Sequence, residues 1–272
     1  MCGITGYWGK KQYPIDVVQN MADKMYSRGP DDRGNWLDPE FGPALGQRRL
    51  SILDLSPAGH QPMESACGRY VIVYNGEIYN HLELKKELDS LGSVRSWVGH
   101  SDTEVLLAVI SQWGLCEGLT RLNGMFAFAL WDRFEKKLIL ARDRIGEKPL
   151  YYGYCNNTLI FGSEFKAIRS HPEFAAQIDR DALALYLRFG YVPAPHTIFQ
   201  GFYKLPPAHY IVITDPKLRS YISECYWDLD LVRHAGMQSR QSNERELEKE
   251  LHETLIDSVK RRMLADVPVG AF

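Results

Sequence analysis

Three glycines at intervals of three, Gly3, Gly6 and Gly9, interrupt a short β-prone run that starts right after Cys2 and contains Ile4, Tyr7 and Trp8. Glycine inside a strand weakens it and is retained where another backbone or a ligand must come close. The chain is therefore expected to open on a closely packed strand, with a cysteine at its very start. Removal of Met1 would leave that cysteine N-terminal, carrying both a thiol and a free α-amine. A thiol is nucleophilic as thiolate, and a free pKa near ~8.5 leaves only a few per cent ionised at neutral pH. An α-amine of pKa about 7.7 to 8.0 is a base poised near that pH and held covalently beside the sulfur. Position alone favours a plainer reading, of Cys2 as a small buried residue. What decides between them is the rest of the chain.

With 45% hydrophobic and 24% charged residues in 272, the composition is that of a globular protein with one large or two modest cores. Lys and Arg number 32 against 34 Asp and Glu, a net charge of −2, so no global field favours nucleic acid or an anionic membrane. No apolar run approaches the ~20 residues of a membrane helix; the longest clear one is Met125 to Trp131. Nothing at the N-terminus reads as a signal peptide, so none is expected. The five cysteines are scattered without a C-x-x-C pair, and the eight histidines are equally dispersed. The expectation is a cytoplasmic chain with no metal site and a substrate held in a pocket.

Residues 15 to 26 place Val18, Met21, Ala22 and Met25 on one helical face, ending before a polar turn at Ser27-Arg28-Gly29-Pro30-Asp31-Asp32. In Gln47-Arg48-Arg49-Leu50-Ser51-Ile52 two adjacent arginines open a strand, and neighbours on a strand point to opposite faces. One guanidinium could then anchor a carboxylate in bidentate fashion, or form a surface ion pair. The loop Gly59-His60-Gln61-Pro62-Met63 carries no clear role. Tyr70 to Tyr74 is a β-branched and aromatic strand feeding Asn75-Gly76-Glu77. Asn-Gly there reads as a hairpin turn, or as the donor pair of an oxyanion hole. A helix from Asn80 to Leu91, with Leu84, Leu88 and Leu91 in phase, favours the second reading.

Ser101-Asp102-Thr103-Glu104 has the form of a capping box opening a helix with Val105, Leu106, Val109, Ile110 and Trp113 as its apolar stripe. Asp102 is left over, a carboxylate at a helix start able to face a ligand ammonium. Met125 to Arg142 reads as a hairpin, and Glu164 as a cap partner of a short helix. Pro193, Pro195, Pro206 and Pro207 suggest a surface-hugging connection. Strands follow at Tyr210 to Thr214 and Tyr221 to Trp227. After a polar stretch, Ala235 to Ser242, Asn243 with Glu246 caps a helix with Leu247, Leu251, Leu255, Val259 and Met263 in phase. The last residues, Val267 to Phe272, read as the start of a further strand.

On Cys2-Gly3-Ile4, Arg28-Gly29-Pro30-Asp31-Asp32, Arg49-Leu50-Ser51-Ile52, Tyr74-Asn75-Gly76-Glu77, Ser101-Asp102-Thr103-Glu104, Leu122 to Trp131 and Gly190 to Pro195, the whole sequence resembles the class II glutamine amidotransferases. The likeness is greatest to their asparagine synthetase branch. Asp266 to Phe272 is similar to the segment before that family's Ser-Gly-Gly-x-Asp-Ser ATP loop. The resemblance implies an α+β fold, a four-layer αββα sandwich of the N-terminal-nucleophile hydrolase type, followed by the truncated start of an α/β synthetase domain. It implies a glutaminase domain over 1–210 and the first connecting strands and helix of the synthetase domain over 211–272. It also implies Cys2 as nucleophile, Asn75 and Gly76 as oxyanion donors, Arg49 as the α-carboxylate anchor and Asp102 as the α-ammonium acceptor. Leu50, Ile52 and Glu77 are implied as further glutamine contacts.

Where many relatives carry a histidine before Arg-Gly-Pro-Asp, Ser27 stands here, so no role rests on a histidine beside the nucleophile. No Ser-Gly-Gly-x-Asp-Ser segment occurs in the 272 residues. The chain is expected to use no cofactor itself, with ATP and Mg in the missing synthetase domain, its partner, and family resemblance suggests a homodimer. The expected activity is glutamine hydrolysis through a Cys2 thioester, supplying ammonia for asparagine synthesis from aspartate. The alternatives are amidation of another carboxylate (a sugar acid or a peptide), an N-terminal-nucleophile amidase that does not use glutamine, and a non-catalytic glutamine-binding module.

Overall fold

The computed structural model describes residues 1–40, 42–94, 96–238 and 243–270. Its first half comprises β1 (Gly3–Gly9), α1 (Ile15–Asp23), β2 (Asp32–Leu37), β3 (Ala44–Arg49), β4 (Met63–Glu64), β5 (Tyr70–Ile78), α2 (His81–Ser90), α3 (Asp102–Trp113) and α4 (Leu115–Arg121). There follow β6 (Gly124–Asp132), β7 (Lys137–Arg142), β8 (Tyr151–Cys155), β9 (Thr158–Gly162), α5 (Phe165–Ile168), α6 (Arg180–Phe189) and β10 (Phe202–Lys204). The last are β11 (His209–Ile213), β12 (Ile222–Cys225), α7 (Leu229–Gln238) and α8 (Glu244–Arg262). Two six-stranded antiparallel sheets form, in the orders β10-β8-β9-β1-β3-β2 and β12-β11-β7-β6-β5-β4.

Side-chain alternation explains why these strands sit between two layers. On β5, Val71 and Val73 face the other sheet while Tyr70, Ile72 and Tyr74 face the helices α2 and α3. On β6, Ala127, Ala129 and Trp131 point between the sheets, and Phe126, Phe128 and Leu130 point outward to the same helices. Both faces are apolar, so the run is continuous rather than alternating. Val18 and Met21 of α1 with Ile168 of α5 cover the outer face of the first sheet. The layers are thus helix, sheet, sheet, helix, as expected. Fully burying a side chain such as Phe126 stabilises by about 1.5–3 kcal/mol over leaving it exposed.

β1 lies at the middle of its sheet between β3 and β9, with Gly3 opposite Arg48 and Thr5 opposite Gly162. A Cβ at Gly6 would overlap the Ala44 carbonyl and the Phe161 ring, which is the close approach that the glycine spacing predicts. Several local expectations change. The arginine pair ends β3 instead of opening a strand, because pairing with β1 stops where β1 begins. α1 stops at Asp23, although Met25 remains buried in the turns that follow. Leu91 falls past the end of α2 and is 54% exposed. Glu164 makes no cap bond; it pairs with Arg28 and Lys166. Ser101 caps α3 by accepting from the Thr103 N–H, but Glu104 accepts from the Val98 and Gly99 N–H groups, so the capping box does not close on itself.

The boundary expected at 210 falls within β11, which hydrogen-bonds to β7 and β12. Asn243 Oδ1 caps α8 through the Arg245 N–H, and Leu251, Leu255 and Val259 on that helix are exposed. The expected polar stretch ending at Ser242 and the final two residues of the chain lie partly or wholly outside the described residues. Among the described residues no helix is long and apolar enough to cross a membrane.

Candidate active site

The ends of β1, β3 and β5 and the start of α3 converge on one cleft of about 600 Å³, counted to its open mouth. All eight expected site residues line it: Cys2, Arg49, Leu50, Ile52, Asn75, Gly76, Glu77 and Asp102. Long-range antiparallel pairing brings them together, since β1 is flanked by β3 in one sheet while β5 runs in the facing sheet.

Cys2 sits where β1 begins. Its Sγ accepts a hydrogen bond from the Leu50 N–H at 3.4 Å, and Arg28 Nη1 donates to the Cys2 carbonyl at 3.4 Å. Burial pushes the thiol pKa up, while the Leu50 N–H, the terminal amine and Arg49 pull it back. Burial also lowers the terminal amine, that of Met1 in this chain, with Lys148 and Arg28 acting in the same direction. An amine held below its ordinary value is more often neutral, hence free to take a proton.

The Arg28–Asp32 turn is more than a polar connection. The Arg49 carbonyl accepts from the Asp31 N–H at 3.1 Å, and Asp31 Oδ2 accepts from the Ser51 N–H at 2.8 Å. A Cβ at Gly29 would overlap the backbone of Arg48 and Arg49, so only glycine lets the turn lie flat on the arginine strand. The two arginines face opposite ways, as strand geometry requires. Arg48 donates to the Gly29 carbonyl and to Asp23, whereas Arg49 Nη2 donates to the carbonyls of Leu53 at 3.0 Å and Asp54 at 2.5 Å.

Asn75-Gly76-Glu77 does not turn. β5 runs straight through it, with Asn75 opposite Ala127 and Gly76 opposite Phe126. A Cβ at Gly76 would overlap the Met125 carbonyl, so glycine is required by the neighbouring strand and not by a hairpin. The Asn75 side chain is 1% exposed and its Nδ2 has no hydrogen-bond partner. A buried donor left unpaired costs about 1–3 kcal/mol. Such an expense at a cleft wall points to a ligand acceptor.

Asp102 is not left over. Tyr74 Oη donates to its Oδ2 at 2.7 Å and the Ile78 N–H donates to the same oxygen at 2.9 Å. Burial raises the carboxyl pKa and these bonds oppose the rise. Glu77 is pushed up from 4.5 to about 7, first by burial and then by Asp102, with Lys148 and Arg262 opposing.

The raised Glu77 has a stability consequence. Between pH 4.5 and about 7 the folded chain binds more protons than the unfolded one, so stability falls as pH rises through that window. At about 1.4 kcal/mol per pKa unit the ceiling is near ~3 kcal/mol, of which solvent screening at the cleft mouth leaves about 1–2 kcal/mol. Glu77→Gln is therefore expected to be about 1–2 kcal/mol more stable than the parent at pH 8 and no more stable at pH 4. Urea unfolding midpoints at the two pH values check this.

Two cleft residues escaped the sequence reading. Gln61, in the loop without an assigned role, accepts from the Tyr74 N–H at 2.7 Å and donates to Thr103 Oγ1 at 3.1 Å, stitching β5 to α3. Lys148 is 6% exposed and lines the cleft beside Cys2 and Glu77. Its loop is shaped by Asp143, whose carboxylate accepts from the N–H groups of Gly146, Glu147 and Lys148. No local pattern marks either residue; the only clue was an isolated Lys before Pro149-Leu150-Tyr151.

A thiol with a nearby amine, an unpaired amide donor, and a cation and an anion spaced along one cleft are groups suited to the chemistry of a small zwitterion. The sequence agrees with that chemistry, because residues 1–227 match the model of the glutamine amidotransferase domain, and the chain belongs to this family. Among solved structures, the glutamine phosphoribosylpyrophosphate amidotransferase of Bacillus subtilis superposes with a TM-score of 0.59 at 21% identity. The match covers 83% of this chain and 49% of that one, and the likeness is one of fold.

Curated relatives narrow the likeness. Over its whole length the chain is 37% identical to asparagine synthetase [glutamine-hydrolyzing] 3 and 35% identical to asparagine synthetase [glutamine-hydrolyzing] 1, both of Bacillus subtilis strain 168. It spans 43% and 42% of those two proteins.

Proposed function

We propose that this chain, once Met1 is removed, hydrolyses free glutamine to glutamate and ammonia. The observation that carries the proposal is the unpaired Asn75 Nδ2 donor, buried in the same cleft as Cys2. The Cys2 thiol gives its proton to its own α-amine, and the thiolate attacks the side-chain carboxamide carbon. Asn75 Nδ2 and the Gly76 N–H receive the negative charge that develops on the oxygen. The amine returns the proton to the departing nitrogen, which leaves as ammonia. Water then cleaves the γ-glutamyl thioester, releasing glutamate and restoring the thiol. Arg49 takes the α-carboxylate and Asp102 the α-ammonium, with Leu50, Ile52 and Glu77 as further contacts. Both charges must be free, which selects the amino acid over a glutamine within a peptide.

In the longer protein that the relatives' lengths suggest, this ammonia would serve ATP-dependent synthesis of asparagine from aspartate in a following synthetase domain. ATP and magnesium belong to that domain, and no residue of this chain is assigned to them. Since β11 crosses position 210, we place the division between the two parts nearer 227, where the family match ends. A cytoplasmic location and a homodimer complete the proposal.

The test uses a glutamine analogue bearing an electrophilic diazoketone in place of the carboxamide. Intact-mass analysis is expected to find one label, on Cys2, only in chains that have lost Met1, together with ammonia and glutamate in equal amounts from glutamine. Equal glutaminase rates for chains that keep and lose Met1 would overturn the mechanism.

A further inference from the structure

The short loop that holds Arg49 is itself held by a residue 212 positions away in sequence. Arg49 Nη2 reaches the carbonyls of Leu53 and Asp54. Asp54 has a φ of 57°, a left-handed conformation that a non-glycine residue keeps only when its surroundings over-determine it. From the inner side the buried Asp54 carboxylate accepts from the His100 N–H at 2.8 Å and the Ser56 N–H at 3.1 Å. From the outer side the contacts come from Asp266, just beyond α8. Asp266 Oδ2 accepts from the Asp54 N–H at 2.7 Å, and the Asp266 N–H donates to the Ile52 carbonyl at 2.9 Å. The His100 Nε2 lies 2.7 Å from the same Oδ2 and joins the two clamps. A Cβ at Gly99 would overlap the Asp54 carboxylate, so glycine is what lets the inner clamp approach this closely.

We propose that Asp266 is a positioning residue for the Arg49 guanidinium, so that the segment following α8 sets how well the cleft reads the α-carboxylate of glutamine. This rests on the reading of Arg49 as the carboxylate anchor. Asp266 touches no cleft residue's reacting atoms. It fixes the Ile52–Asp54 backbone from outside, and that backbone supplies both acceptors that orient Arg49. The end of α8 is also held to α2 and the residues before it, through Arg261 on Glu83 at 2.9 Å and Arg262 over the Tyr79 ring at 4.4 Å. The downstream part of the chain is thereby tied to the substrate cleft by named bonds.

The experiment is steady-state hydrolysis of glutamine and of glutaminamide, which lacks the α-carboxylate, by the full chain with Met1 removed. Asp266→Asn replaces the charged acceptor of the Asp54 N–H with a neutral amide oxygen. It is expected to raise KM for glutamine about 5- to 20-fold with kcat within about twofold, the loss expected when a charge-assisted bond that steadies the Arg49 acceptors is weakened. The preference for glutamine over glutaminamide should fall by the same factor. His100→Ala should shift KM in the same direction by about two- to fivefold, and Arg261→Ala, which breaks the ion pairs with Glu83 and Asp257, should leave it unchanged. An unchanged KM in both Asp266→Asn and His100→Ala, or equal losses for the two substrates, would overturn the inference. If the unsubstituted chain hydrolyses no glutamine, it is the proposed function that fails instead.

Discussion

Replacing Cys2 with alanine, in chains verified to have lost Met1, is expected to reduce glutamine hydrolysis by about 10⁴-fold or more, to the background of the ammonia assay. The size follows from the role. A nucleophile that forms the covalent intermediate has no substitute in the cleft, and the other groups only bind and polarise the substrate. Fold stability should change little, because Cys2 is half-buried at a chain terminus and its Sγ makes one backbone contact pair with Leu50. Glutamine binding should persist, since Arg49 and Asp102 remain. Isothermal titration beside the ammonia assay separates these outcomes. Residual turnover above about one per cent of the parent would remove Cys2 from the mechanism, whereas lost binding would move it into substrate recognition.

Asn75→Ala carries the second large effect, a fall in kcat of about 100- to 1000-fold, the usual result of deleting one oxyanion donor. KM should move by no more than a few-fold, because the donor is needed where charge develops and not on the resting carboxamide. Stability supplies an independent check. Deleting the amide removes an unpaired buried donor, worth about 1–3 kcal/mol of relief, against a comparable loss of packing. The melting temperature is therefore expected to stay within a few degrees of the parent. A variant with full kcat, or one that unfolds, would contradict the assignment.

Much of the fold was legible because the relevant signals are local. Ser101 announces the start of α3, and its hydroxyl does accept from the second helical N–H. The glycine spacing of β1 forecasts close approach, and Ala44 and Phe161 provide it. The run at β6 announces a hairpin strand, and the structure adds that both its faces are buried. Asn-Gly ordinarily turns, but pairing with β6 over nine residues keeps β5 extended through it, in line with the reading that set the turn aside. Misreadings arose where a local rule met a non-local partner. Glu104 completes the pattern of a capping box, yet the Val98 and Gly99 N–H groups claim its carboxylate. Leu91 fits the helical phase of α2 but lies beyond its last turn.

The candidate site divides in the same way. Cys2, Arg49, Asn75 and Asp102 are recognisable as residue types suited to nucleophile, cation, donor and anion, and their order matches a family pattern. Their convergence in one cleft depends on β1 pairing with β3, with Gly3 opposite Arg48, and on the second sheet facing the first. Gln61 and Lys148 bear no mark in the sequence and Asp266 is marked only as part of a terminal motif, because each acquires its role at the cleft only from what long-range pairing sets beside it. By itself, the sequence determined the strand periodicity, the helix starts and the double chemistry available to an N-terminal cysteine, all properties of residues near one another along the chain. Tertiary structure alone decided which donor stays unpaired, which carboxyl is pushed up to about 7, and which distant aspartate steadies Arg49, since hydrogen bonding and desolvation depend on neighbours in space.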